Sequence, residues 1–413
     1  MSYRDVAVKL RAGAAWCVAL LGLTIPISTG ADSVLLALVV FAWLAALPAQ
    51  WRESWRAFVS TPPLIAAAAF FCALLLGMLY SPVPTGVAWS SSASKYSELV
   101  LMIAFLWAAT SERTRRRALY FFLAAIALNL IVSYSVGFEL VQGYPGLRTY
   151  PKYPIGFRLS VTHNILVSLA AFAGLLLARE ATNPLLRAGL IAFTVICAYN
   201  VLFMVIGRTG YVLLAVLVAY FFVTSLRGWR GPVACAVVLA CAFSGAYYGS
   251  GNFHSRVDAI ASDLSHWQPG AGDSTSVGQR VGYYRTSAQI IAEHPLTGVG
   301  TGGFAEAFSA RVKGTDAPET SNPHNDYLFT GVQLGFPGML LMLVLYGTAW
   351  RSARRLPSRV ERDLARGVVL TMAIGGLFNS VLLDHTEGLL FAWATAVLFA
   401  GCGSRETRVA AAR

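Results

Sequence analysis

Long apolar runs govern what this chain can become. They recur from end to end, beginning near residues 12, 32, 63, 97, 116, 162, 186, 208, 231, 326, 366 and 386. At roughly 17–23 residues, each is long enough to cross a bilayer as a helix. Inside lipid a backbone must satisfy its own hydrogen bonds, so only helices and closed barrels can span. The runs are continuous rather than alternating, which selects helices. Only 13% of the 413 residues are charged while 56% are hydrophobic, and a soluble domain carries about twice that charge. The expected fold is an all-α polytopic membrane protein with about twelve transmembrane helices. A soluble multidomain protein is excluded.

The net charge of +12 reports topology. Cutting the chain at the runs puts most basic residues on one side: Arg4, Lys9 and Arg11; Arg52 and Arg56; Arg113, Arg115, Arg116 and Arg117; Arg179 and Arg187; Arg227 and Arg230; Arg351, Arg354, Arg355, Arg359, Arg362 and Arg366; Arg405, Arg408 and Arg413. Short loops rich in Lys and Arg stay in the cytoplasm, so both termini are expected there. All six histidines then fall outside or at the outer membrane edge: His163, His254, His266, His294, His324 and His385. Because the basic excess is a topology signal, it gives no argument for nucleic acid as a partner. The six cysteines fall within expected spans, with no metal-ligand spacing and no external position for a disulfide. No small-residue cleavage site follows Ile25-Pro26-Ile27, so the first run is expected to remain as an uncleaved span.

Three connections are long. Residues 138–161 are rich in Tyr, Pro and Gly, residues 350–366 are basic, and residues 250–325 form the largest external segment. The expected division is residues 1–249 with the first nine spans, a periplasmic, partly helical cap over 250–325, and residues 326–413 with the last three spans and a tail. Inside the cap, "SVGQRVGYYRTSAQIIAEHP" places Val277, Val281, Tyr284, Ala288 and Ile291 near helical spacing, which predicts a helix ending before Pro295. "AEAFSARV" predicts a shorter one. Glycine-rich "GVGTGG" (298–303) lacks the preceding strand and spacing of a dinucleotide loop and reads as a turn.

Several residues could carry chemistry. Arg280 and Arg285 lie five apart, so on a helix their faces diverge by about 140°. Guanidinium forks suit phosphate oxygens, and Tyr283 and Tyr284 between them suit a sugar face or a membrane interface. A helix lying on acidic headgroups fits the same residues. Arg208, in "MVIGRTGYVLL", stands between two runs with almost no loop; it either snorkels to the outer interface or faces a wet cavity. Gly207 and Gly210 let a ligand or a neighbouring helix come close. In "TSNPHNDYL" (320–328), Pro323 fixes its own φ and pushes Asn322 out of the helical region. Asn325 or Asp326 then supplies a helix cap, which leaves His324 on a rigid turn at the mouth of the next span. An imidazole with its ordinary pKa near 6.5 can accept a proton at neutral pH; an interfacial histidine bonded to a loop carbonyl fits equally. In "DHTE" (384–387), Asp384, His385 and Glu387 suit a carboxylate–histidine pair or a metal.

In order, "GRTGY" at the edge of a span, "RVGYYRTSAQIIAEHPLTGVGTGGF" in a large external loop and "PHNDYLFTGVQLGFPGML" entering the next span resemble the O-antigen ligase and polymerase superfamily of bacterial envelope glycosyltransferases. The resemblance covers the chain by topology and is specific over about residues 205–345. It implies a GT-C-like fold in the bacterial inner membrane with an active site facing the periplasm. The implied donor is a glycan on undecaprenyl diphosphate, and the implied acceptor a sugar hydroxyl of lipid A–core oligosaccharide, joined by inverting transfer without metal or cofactor. His324 would be the base. Arg208 and Arg280 would hold the leaving diphosphate, with Arg285 as a third cation. Tyr284, Tyr211 and Asn325 would position the substrates. An O-antigen polymerase or a protein O-oligosaccharyltransferase would share these parts, and a flippase of lipid-linked glycans is the rival from another class. A flippase would be expected to show mid-span charges and inverted repeats, and the sequence shows almost none of the first and none of the second. The ligase is favoured because no large external domain follows the last run. One departure is "LGFPG", where Pro337 takes a position that is aliphatic in many relatives and predicts a kink.

Overall fold

A computed structural model describes residues 2–265, 276–315 and 317–411; His266 and Arg413, assigned to opposite sides of the membrane above, lie outside the described residues. Helix makes up 79% of the chain and the described residues contain no strand. The first half holds α1 (Tyr3–Thr24), α2 (Thr29–Ser60), α3 (Pro62–Gly77), α4 (Thr85–Ser91), α5 (Glu98–Ala108), α6 (Glu112–Gly137), α7 (Ser160–Glu180) and α8 (Pro184–Tyr199). The second holds α9 (Arg208–Ser225), α10 (Arg230–Gly249), α11 (Gly251–Ser265), α12 (Ser276–Glu293), α13 (Phe304–Val312), α14 (Asp326–Ser352), α15 (Arg359–Gly375) and α16 (His385–Ala411).

Among the described residues, nine helical stretches are long and apolar enough to cross a membrane: α1, α2, α3 continued to Tyr80, α6, α7, α8 continued to Met204, α9, α10 and α14. The chain is therefore an all-α polytopic membrane protein. The runs near 97, 366 and 386 correspond to α5, α15 and α16. Helix α5 has only 11 residues, and α15 spends its first half on Arg359, Glu361, Arg362, Asp363 and Arg366. Helix α16 is enclosed by protein, with every residue from Leu389 to Ala400 buried. Its Trp393 Nε1 donates to Val18 O at 2.8 Å, tying it to α1. The basic stretch at Arg52 and Arg56 is not a loop. Helix α2 runs through it, bending at Gln50 (φ −130°) just after Pro48. Beyond the bend Trp51 and Trp55 are exposed beside the two arginines, the composition of a segment lying at a membrane surface.

Helix α1 packs between α2 and α6, α7 against α8, α9 and α15, and α14 against α3 and α12. Helix α7 is buried over most of its length whereas α10 exposes nearly all of its own, so α10 lies on the rim. The kink predicted from Pro337 is present as a break at Gly335 (φ 67°, ψ −164°). A break in an apolar helix strands backbone groups that must find partners within the protein. The glycine-rich turn and Pro295 just before it supply them. Val299 N donates to Val332 O at 2.8 Å and Gly300 N to Gln333 O at 3.0 Å, while Phe336 N donates to Pro295 O at 2.8 Å. Gly298 sits at φ 64°, and a Cβ there would fall 2.4 Å from the Gln333 carbonyl carbon. "GVGTGG" is thus the patch over the break in α14.

Candidate active site

The turn before α14 is built from its own side chains. Asn325 is the N-cap, its Oδ1 accepting from Leu328 N at 3.0 Å. Asn322 Oδ1 accepts from His324 N at 2.8 Å, which closes a tight side-chain turn. Between them His324 lies at φ 55°. Non-glycine residues seldom adopt this left-handed conformation, although histidine tolerates it better than most.

Residues 373–382, the end of α15 and most of its connection to α16, gather three segments around this turn. Leu377 O accepts from Tyr284 OH at 2.7 Å and from Asn325 Nδ2 at 3.0 Å. The same Tyr284 hydroxyl lies 3.2 Å from His324 O. Gly376 O accepts from Asp326 N at 2.8 Å, and Leu382 N donates to Asp326 Oδ2 at 3.0 Å. Ser380 Oγ donates to Asn322 Oδ1 at 2.7 Å, and the adjacent Asn379 Nδ2 donates to Thr209 Oγ1 at 2.9 Å. The His324 turn, the Tyr284 face of α12 and the start of α9 are therefore bound to one short connection.

Arg280 belongs to this cluster. Partial burial, and then the Arg280 guanidinium, draw the His324 pKa below its ordinary value, because both disfavour the imidazolium. Burial raises the Tyr284 pKa, opposed by its hydrogen bond to Asn325 and by the Arg280 charge. Arg280 thus acts electrostatically on both site residues. Arg285 is exposed, on the diverging face. The buried stripe of α12 runs through Ser287, Ile290 and Ile291, with Tyr283 edge-on to Phe308 at 5.7 Å. Ala288, expected in that stripe, is exposed; packing on α13 and α14 sets the helix's rotation more than its apolar spacing does.

Arg208 is the first residue of α9 and is half-buried. The close approach allowed by Gly207 and Gly210 is taken by Asn164 of α7: a Cβ at either glycine would come within 2.5 Å of its side chain. Asn164 Nδ2 also donates to Val205 O at 3.3 Å. Below this lies His163, fully buried rather than at a surface. Gly156 N donates to its Nδ1 at 3.2 Å, so Nε2–H faces Asn200 Oδ1 at 2.7 Å. His163 thus pins the π turn Asn200–Met204 that delivers the chain to Arg208. Tyr211 packs its ring on Phe253, 4.8 Å between centroids.

The "DHTE" stretch forms a carboxylate–histidine pair, but with a carboxylate from outside it: His385 Nδ1 meets Glu98 of α5. Nearby, Arg158 holds Asp32 Oδ2 at 3.1 Å and Ile25 O. Among the described residues no group of three or more His, Cys, Asp or Glu side chains is arranged to hold a metal ion. Sequence reasoning missed Leu377, Asn379 and Ser380, and it offered Asp326 only as a cap, a place Asn325 takes. The polar pair Asn379-Ser380 inside an apolar run was the available signal.

No curated protein matches the chain significantly. Residues 187–343 match a family model described as Wzy_C, O-Antigen ligase, a segment that contains Arg208, Arg280, Tyr284 and His324 together. Over that segment, about two-fifths of the chain, the protein is similar to the O-antigen ligase superfamily.

Proposed function

We propose that the protein is an inverting, metal-independent O-antigen ligase of the bacterial inner membrane, working on the periplasmic face. It moves a glycan from undecaprenyl diphosphate to a sugar hydroxyl of lipid A–core oligosaccharide. His324 takes the acceptor hydroxyl proton as that oxygen attacks the anomeric carbon. The carbon–phosphate oxygen bond breaks on the opposite face, and undecaprenyl diphosphate leaves as an anion. Arg208 and Arg280 hold that developing charge, with Arg285, on the exposed face of α12, as a third cation. Fixed guanidinium groups aimed where charge develops stabilise a transition state without reorganising. Tyr284 and Asn325 hold the turn that presents the base, and Tyr211 lines the approach from α9.

The observation that carries this reading is His324 itself. It is held left-handed by Asn322, and burial, with Arg280 second, shifts its ring toward the neutral, proton-accepting form. The test is transfer by purified protein from a lipid-linked glycan to lipid A–core. His324→Ala should abolish the new glycosidic bond while the protein remains folded in the membrane, and excess chelator should leave transfer intact. Near-normal transfer by His324→Ala would remove the base assignment. Activity lost to chelator and restored by a divalent ion would replace the arginine account.

A further inference from the structure

We propose a second, sugar-binding pocket beside the active site, formed where the 146–159 loop meets the first turn of α16, and holding a neutral sugar unit of the acceptor glycan. Its assignment to the acceptor rests on the transfer reading above; its binding of sugar does not. A cavity of ≈ 590 Å³ opens there, walled by Arg148, Phe157, Arg158, Thr162, His385 and Glu387, a size suited to a small polar ligand. Glu387 is 1% exposed, yet its Oε1 has no hydrogen-bond partner. Thr162 hydrogen-bonds the same carboxylate and holds it in place. His385 is likewise pinned through Nδ1 by Glu98, and its Nε2 has no partner.

A buried carboxylate oxygen left without a donor is destabilising. That cost is recovered when a ligand hydroxyl donates to it. The chemistry of the wall selects the ligand. A phosphate would meet Glu387 and Asp384, and a cation would meet Arg148 and Arg158. A polyol can donate to Glu387, accept from arginine and lay its C–H face on Phe157. The pocket also begins at Asp384, four residues beyond Ser380, which braces the His324 turn. One connection therefore touches both places. With the donor diphosphate assigned to the arginines of the first, the second is left for the other sugar.

The test uses full-length protein in nanodiscs and core oligosaccharide released from the lipopolysaccharide of the bacterium carrying this chain. Binding is read by calorimetry without donor, and transfer is read separately. Wild type should bind. Glu387→Gln and Thr162→Val should weaken binding by about tenfold and raise the acceptor KM similarly, leaving the donor KM and kcat within about threefold. Should Glu387→Gln fail to fold, Phe157→Ala, at a half-buried loop position, reads the same pocket. Absence of binding by wild type, or folded pocket variants indistinguishable from it, overturns the proposal. Binding that depends on Glu387 in a protein that forms no glycosidic bond would sink the ligase reading and leave the sugar pocket standing.

Discussion

His324 sits on a turn bonded to the α15–α16 connection, His385 follows that connection, and the two have opposite surroundings. His324 sits on a turn beside a guanidinium, with its backbone in an uncommon conformation. His385 opens a helix and is paired with the carboxylate of Glu98. A cation beside an imidazole favours its neutral form, whereas a paired carboxylate fixes its orientation. Under the proposed function, the contrast separates a residue suited to exchange a proton from one suited to hold a wall. Residue type and location did not separate them, since both are histidines next to Asn or Asp at the same end of the bundle.

The largest test of this contrast substitutes each histidine in turn. Asparagine tolerates the left-handed backbone, so His324→Asn should retain its melting temperature while kcat falls by about 10²–10⁴. His385→Asn should do the reverse: kcat within about threefold, but stability lower by about 1–3 kcal/mol with Glu98 left unpaired. Melting curves and turnover measured on the same preparations decide it, and exchanged outcomes would end the comparison.

A smaller effect concerns pH. The proposed transfer uses neutral His324, whose pKa is pulled below the ordinary value near 6.5 by burial and Arg280. Activity should therefore persist on the acid side of that value and fall only below it. Removing the cation in Arg280→Gln raises the pKa, so the acid limb of the rate profile should move to higher pH. Arg280→Lys keeps the charge and should keep the limb. An unmoved limb in Arg280→Gln would show that Arg280 does not set the protonation of His324.

Ser380→Ala removes the hydroxyl that braces Asn322. A lost hydrogen bond of about 1 kcal/mol predicts roughly a fivefold fall in kcat/KM. The smallest effect belongs to Arg285→Ala, which should change turnover by less than about twofold, as expected for a solvent-exposed charge. A loss matching that of Arg280→Gln would place both arginines on the diphosphate.

Much of this was legible in the sequence. Apolar runs gave the helical membrane fold, Pro295 ended α12, and Pro337 announced the break in α14. Asn325 and His324 could be placed because capping and turn formation are local, written within three or four residues. What could not be read depends on backbone carbonyls and on distant elements. The anchors at Ala373, Gly376 and Leu377 are main-chain oxygens, which any residue provides and no side chain advertises. Glu98 became the partner of His385 across 287 positions. The rotation of α12 was missed for the same reason: apolar spacing names several possible faces, and the neighbours choose one.

The carbonyl anchors have a consequence for how this region tolerates change. Identity matters little where the main chain makes the bond, so Leu377 and Ala373 can be exchanged for other side chains of similar bulk with small loss. Length is another matter. Removing one residue between Gly376 and Ser380 would shift every later anchor by a full register, pulling Asn379 from Thr209 and Ser380 from Asn322 together. A library of single deletions across residues 373–382 should therefore prove far harsher than a library of substitutions, with the connection acting as a ruler.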